Sequence, residues 1–226
     1  IMGVGSNGVN RYKIGKATQG LANYLKKAIT NKQIAVVIGH DSRNNSRYFA
    51  ELTAHIFSAN GIKVYLFDEL RPTPLLSYAL RFLKCDSGVV VTASHNPKEY
   101  NGYKVYWNDG AQVVPPHDKN IIAEVNNIPS FESILFEPNH QLIQAVPNEV
   151  EESYYQTVKQ LIPNQAVIAK QKDMPIAYSS LHGAGITMVP NCLKAIGFEN
   201  IHVVIEQATP DGNFPTVQSP NPEERS

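Results

Sequence analysis

The stretch Thr92-Ala93-Ser94-His95-Asn96-Pro97 sets a serine, a histidine and an amide side chain next to one another, and Lys104 follows ten positions after Ser94. The apolar run Gly88 to Val91 directly precedes it, so the serine falls on the loop that leaves a buried strand. A free serine hydroxyl is a weak nucleophile, and phosphoryl transfer through it requires positioning, proton transfer and neutralisation of phosphate charge. Lys104 can bind a phosphate oxygen or, with a lowered pKa, exchange a proton with a substrate hydroxyl; His95 can polarise or orient the same groups. Taken singly, each residue also has a plainer reading. Ser94 is then a turn or cap residue before Asn96-Pro97, His95 a loop histidine satisfied by backbone groups, and Lys104 a solvated strand lysine alternating with Tyr103 and Val105. A serine-hydrolase reading fails, because Thr92 to Asn96 lacks the GxSxG elbow.

A second loop, Gly39-His40-Asp41-Ser42-Arg43, also follows an apolar run, Ile34 to Ile38. Arg43 there either orients the Ser94 loop or meets phosphate bidentately; the competing reading is an Asp41-capped turn with a surface arginine. Leu181-His182-Gly183-Ala184-Gly185 places glycines at a strand-to-helix turn. Backbone amides there can accept an anion, but a tight turn that needs glycine explains the residues as well, and His182 reads as a core histidine. His55, His117, His140 and His202 show no HxxxH spacing, which argues against a zinc site. Cys85 and Cys192 lack CxxC spacing and sit in apolar contexts, so both read as free buried thiols, as in a reducing, cytoplasmic compartment.

Elements that would bring the two loops together follow from periodicity. Apolar spacing predicts helices over Gly15 to Lys27, from Ser46 as cap through Phe57 to Asn60-Gly61, and over Leu75 to Leu83. Between them run the strands Ile34 to Ile38, Ile62 to Phe67 and Gly88 to Val91. Strands buried on both faces and separated by helices predict an α/β unit with a mainly parallel sheet, whose ligand crevice lies beyond the carboxyl ends of the strands. Both loops fall there. Asn108-Asp109-Gly110 predicts a tight turn and Pro115-Pro116 opens a further helix through Val125. The proline-punctuated stretch Asn127 to Asn148 marks a domain boundary. A helix from Glu149 to Leu161, the strand Ile176 to Ser179, a helix through Met188 and Ile196 and the strand Ile201 to Ile205 then restart the alternation.

With 20 acidic and 20 basic side chains among 226 residues, charge gives no argument for nucleic acid or an anionic membrane as partner, while a small anionic substrate fits. No stretch is long and apolar enough for a transmembrane helix.

Continued through Lys98-Glu99-Tyr100-Asn101-Gly102-Tyr103-Lys104-Val105-Tyr106-Trp107, the serine segment resembles the active-serine loop of the α-D-phosphohexomutases, the phosphoglucomutase and phosphomannomutase family. Ile1 to Gly5, Tyr12 to Leu25, Gly39 to Arg43, Pro72-Thr73-Pro74, Leu181-His182-Gly183, Phe214-Pro215 and Pro220-Asn221-Pro222 are similar to family segments in the same order. The wording of Asn96 to Trp107 is most similar to the branch where phosphoglucomutases overlap with phosphopentomutases. The resemblance implies three-layer α/β domains with mixed, mainly parallel sheets, the first one and a half to two domains of a four-domain, heart-shaped mutase. Residues 1–147 would be the first domain and 148–226 an incomplete second.

It further implies that Ser94 carries the phosphate, that His95 and Lys104 serve acid-base and positioning roles, and that Asp41, Arg43 and Asn96 support them. Glucose 1-phosphate and glucose 6-phosphate would interconvert through a bisphosphorylated sugar, with glucose 1,6-bisphosphate as activator. Mg²⁺ would be bound by the phosphate on Ser94 together with an aspartate-rich loop outside this chain. The family's GTxGxRG segment, its DxDxDR metal loop and its third and fourth domains do not occur in this sequence, so the chain is expected to be an N-terminal fragment, inactive by itself, whose partners include the remaining domains of its own parent chain. Phosphomannomutase or phosphopentomutase activity, or a non-catalytic module that binds sugar phosphates, are the alternatives.

Overall fold

The structure is a computed structural model that describes residues 1–221, Glu223 and Glu224. Pro222, at the end of the Pro220-Asn221-Pro222 segment, lies outside the described residues. In chain order the elements are β1 (Met2–Val4), α1 (Gly5–Gly8), α2 (Arg11–Ala28), β2 (Ala35–His40), α3 (Ser46–Ala59), β3 (Lys63–Leu66), α4 (Thr73–Phe82), β4 (Ser87–Val91) and β5 (Tyr100–Trp107). There follow α5 (His117–Asn126), β6 (Ile143–Ala145), α6 (Asn148–Gln160), α7 (Gln165–Lys170), β7 (Ile176–Tyr178), α8 (Val189–Ile196) and β8 (Ile201–Val203).

Six strands form one sheet in the order β1-β5-β4-β2-β3-β6. β2 runs parallel to β3 and β4, and β3 parallel to β6; β5 is antiparallel to both β4 and β1. The predicted α/β unit with a mixed, mainly parallel sheet is therefore present. Alternation along the buried strands divides the core into two layers. Val36, Ile38, Val89 and Val91 pack with Ile14, Leu21, Phe49 and Phe57 of α2 and α3. Val37 and Val90 pack on the other face with Leu75, Leu76 and Leu80 of α4 and Val150 of α6. Side chains as fully buried as Phe57, Ile14 and Leu21 each contribute roughly 1.5–3 kcal/mol on transfer from water, and these two layers are where the fold is decided.

The predicted helices and strands from residue 11 to residue 91 are present, with ends shifted by a few residues. Ser46 is not the cap it was expected to be. It is the first helical residue of α3, and Asn45 precedes it in a left-handed conformation (φ 67°) without a side-chain cap bond. The Ser46 hydroxyl instead donates to Asp41 Oδ1 at 2.7 Å. Within the stretch read as a boundary lies β6, which extends the sheet beyond β3.

Beyond residue 148, α6 packs on α4, where the Tyr78 hydroxyl lies 2.7 Å from Ser153 Oγ and 3.0 Å from Thr157 Oγ1. β7 and β8 pair parallel in a sheet of two strands. Cys85 and Cys192 are free thiols; Cys85 is buried, whereas Cys192 is half-buried rather than buried as expected. No helix among the described residues is long and apolar enough to cross a membrane.

Candidate active site

Parallel pairing of β2 and β4 sets His40 opposite Val91, so the loops that leave the two strands start side by side. The Asp41 amide crosses between them and donates to the Val91 carbonyl at 3.1 Å. Asp41 then folds its own loop: Oδ1 accepts from the Arg43 amide at 3.0 Å as well as from Ser46. That turn sends Arg43 inward. Its side chain is buried, and its guanidinium donates to the carbonyls of Ser94 (2.9 Å), Pro97 (2.7 Å), Tyr100 (3.2 Å) and Asn96. Nε lies 3.5 Å from Asp41 Oδ2. Burial lowers the Arg43 pKa, opposed by the charges of Asp41 and Glu99.

Of the two sequence readings, the surface arginine is wrong: Arg43 grips the serine loop. With both terminal nitrogens spent on four carbonyls and Nε enclosed beside Asp41, bidentate contact with phosphate is not what the side chain does. This grip explains an unusual backbone. Ser94 adopts φ 57°, a left-handed conformation that costs a non-glycine residue roughly 1 kcal/mol or more and persists where surrounding bonds enforce it. Charge-assisted bonds to the Ser94 and Asn96 carbonyls enforce it from below, and the Ser94 amide donates to Thr92 Oγ1 at 3.0 Å. Gly102 permits β5 to close on the same point, since a Cβ there would stand 2.3 Å from the Thr92 carbonyl oxygen.

Ser94 is exposed, at the border of a cleft of ≈ 260 Å³ also lined by Asp41, Arg43, Arg71, Thr92 and Phe214. Phe214, another lining residue, is buried with its ring centroid 5.5 Å from the Arg43 guanidinium carbon. The loop that carries it can approach because residue 212 is glycine; a Cβ at Gly212 would stand 2.3 Å from the Asn44 amide nitrogen.

The structure brings Ser94, Asp41 and Arg43 together at the cleft, and His95, Asn96 and Lys104 do not line it. His95 is exposed and does not line the cleft. Asn96 is a turn residue, its side-chain amide donating to the Ala93 carbonyl at 2.9 Å. Lys104 is half-buried on β5 and makes no ion pair among the described residues. It pairs with Val90, and cross-strand partners share a face. Val90 lines the cleft, whereas Lys104 borders a different pocket, with Met2, Tyr103 and Ile121.

In the Leu181 to Gly185 turn the left-handed residues are Leu181 and His182 (φ 46° and 62°), not the glycines. A Cβ at Gly185 would stand 2.3 Å from the Tyr178 hydroxyl and would displace that ring. His182 is a satisfied core histidine, with Nδ1 2.8 Å from the Thr209 carbonyl and Nε2 3.0 Å from Thr216 Oγ1. Arg71 and Phe214 were missed as cleft residues. Arg71 directly precedes Pro72-Thr73-Pro74 and Phe214 begins Phe214-Pro215, two segments similar to the family, but neither side chain was singled out because both lie in turn-forming sequence with no period to follow. Among the described residues no three His, Cys, Asp or Glu side chains come together to hold a metal. Asp41, the carboxylate that lines the cleft, is already engaged by Arg43 and Ser46.

A three-layer α/β unit that presents a strained serine and an arginine-clamped loop at the carboxyl ends of parallel strands has the ligand-site placement of open α/β enzymes. Residues 1–132 match the model of phosphoglucomutase/phosphomannomutase, alpha/beta/alpha domain I, and residues 152–226 match that of domain II. The chain belongs to the phosphoglucomutase/phosphomannomutase family. It is 40% identical over 223 residues to the phosphoglucomutase of Staphylococcus haemolyticus, covering 99% of this chain and 40% of that one. It is 37% identical over 235 residues to the phosphopentomutase of Homo sapiens, covering 99% of this chain and 38% of that one. Among solved structures, a Thermus thermophilus protein assigned as a phosphomannomutase superposes with a TM-score of 0.82 at 27% identity, over 99% of this chain and 47% of the other. The chain thus spans about 40% of the length of the curated relatives it matches.

Proposed function

We infer that this chain carries the phosphoryl-accepting part of an intramolecular phosphotransferase that interconverts sugar 1-phosphates and 6-phosphates, glucose phosphates first among them. The observation that carries this reading is Ser94 itself. An exposed hydroxyl-bearing residue is held in a left-handed conformation at a cleft by a buried arginine, an arrangement that a mere turn does not require. In this reading the phosphoryl group on Ser94 Oγ passes to the free hydroxyl of a sugar monophosphate. The resulting bisphosphate then returns its other phosphoryl group to Ser94, so that one sugar phosphate has become the other and the serine is recharged. Each transfer moves one proton between a sugar hydroxyl and the protein. Lys104, on the strand face shared with Val90, and His95, beside the serine, are the groups assigned to that exchange.

Arg43 and Asp41 act through the loop and not on the phosphate. Mg²⁺ and glucose 1,6-bisphosphate belong to the same reading as cofactor and activator; of the metal's ligands this chain would contribute the Ser94 phosphate alone. Residues 1–147 and 148–226 are taken as two domains.

The test is a coupled assay on the full-length protein in which glucose 6-phosphate formed from glucose 1-phosphate is oxidised with NADP⁺. Mannose 1-phosphate and ribose 1-phosphate serve as competing substrates. Activity abolished by Ser94→Gly supports the reading, and undiminished activity in that variant overturns it.

A further inference from the structure

Arg71 borders the Ser94 cleft together with Arg43, but the two are held in opposite ways. Every bond of Arg43 turns down into the loop, as described above. Arg71 reaches the cleft from the segment before α4, anchored at its backbone by a 3.1 Å bond from its amide to the His40 carbonyl. Its Nε lies 2.8 Å from Glu151 Oε1 on α6. One terminal nitrogen lies 3.2 Å from Glu69 Oε2 and donates to the Leu70 carbonyl at 3.0 Å. The other terminal nitrogen has no hydrogen-bond partner among the described residues. It is also not one of the fully enclosed polar atoms, although Nε of the same side chain is. A planar guanidinium with Glu151 beside Nε as an ion pair without a hydrogen bond, and with one terminal nitrogen bonded to Glu69 and Leu70, keeps its last donor pair for an oxyanion in the cleft that Ser94 also lines.

We propose that Arg71 contacts the phosphoryl group transferred at Ser94, and that Glu151 and Glu69 are positioning residues that aim its free nitrogen. This rests on the phosphoserine reading above. The contact strengthens as charge builds on the transferring oxygens, so it lowers the barrier to transfer more than it tightens substrate binding. A structural staple between the segment before α4 and α6 would use the same Arg71–Glu151 pair, and the experiment must separate the two.

The full-length protein is phosphorylated with glucose 1,6-bisphosphate and stripped of divalent cations with EDTA, and the phosphoserine is titrated by ³¹P NMR as wild type, R71Q, R71K and E151Q, with kcat and KM measured separately in Mg²⁺. A cation at the phosphate favours its dianion, so R71Q is expected to move the phosphoserine titration to higher pH and to lower kcat 10- to 100-fold with a smaller change in KM. R71K keeps the charge without the fork and falls between. E151Q leaves the guanidinium in place but loosens its aim, so its phosphoserine titration moves in the same direction as in R71Q and by less. Equal titration curves for wild type and R71Q overturn the proposal and leave Arg71 a staple. A wild-type protein that takes up no phosphate at Ser94 overturns it together with the mutase reading, which distinguishes that failure from the failure of Arg71 alone.

Discussion

The buried guanidinium of Arg43 donates to the carbonyl of Ser94 at 2.9 Å and so fixes the backbone of the residue whose side chain is left exposed. The loop after β2 thereby sets the shape of the loop after β4. Replacement by lysine keeps the charge and loses the fork, and one ammonium cannot serve four carbonyls. Arg43→Lys is expected to destabilise the protein by about 2–4 kcal/mol, from buried acceptors left unpaired, and to lower mutase activity far more than stability alone explains. Chemical denaturation together with the coupled assay checks both effects.

Ser94 separates chemistry from conformation. Ser94→Ala and Ser94→Gly both remove the hydroxyl, but only glycine adopts φ 57° without cost. Both variants should lack activity, while the glycine variant should be more stable than the alanine variant by about 1 kcal/mol. Thermal melts of the two give the difference directly. An alanine variant as stable as the glycine variant would mean that the loop is not held in this conformation.

At Gly102 the added methyl of Gly102→Ala would stand 2.3 Å from the Thr92 carbonyl oxygen, which belongs to the backbone and cannot swing aside. The expected result is a loss of about 1–3 kcal/mol, the usual range for overpacking, with faster hydrogen exchange at Thr92 and Ser94 as β5 is pushed from β4. Exchange confined to the far ends of the strands would contradict it.

Burial pushes the Cys85 thiol up to about 12, with Asp86 adding to the effect and Lys63 and Lys32 opposing it. The folded state therefore keeps a proton that the unfolded chain releases near 9, so stability is intact below pH 9 and declines as pH rises toward 12. Tyr103, raised by burial, acts in the same direction. Denaturation midpoints across that window should fall with pH, and Cys85→Ala should make the fall shallower by up to about 1.4 kcal/mol per pH unit. An unchanged slope in Cys85→Ala would show that the thiol is not the group responsible.

What the sequence showed of the fold was what is repetitive. Ile34 to Ile38 and Gly88 to Val91 are continuous apolar runs because both faces are covered, and the helices between them carry a period that burial demands. β1 and β6 were not legible, since three largely exposed or half-buried residues at a sheet edge carry no pattern and take their strand character from β5 and β3. The site divided in the same way. Ser94 and Arg43 could be picked out by their place after strands, but the choice between gripping a loop and gripping phosphate needed the positions of four carbonyls. Phe214 and Arg71 reach the cleft from distant segments, and nothing local in their surroundings announces it. Asn45, not Ser46, sits at the α3 cap because Ser46 is drawn to Asp41.

Peptide mapping with intact mass on the full-length protein, before and after exposure to glucose 1,6-bisphosphate and Mg²⁺, tests the phosphoserine most directly. The account predicts a single phosphate on the peptide that contains Ser94, gained or increased on exposure and absent from Ser94→Gly. A protein whose Ser94 peptide carries no phosphate under either condition would contradict it.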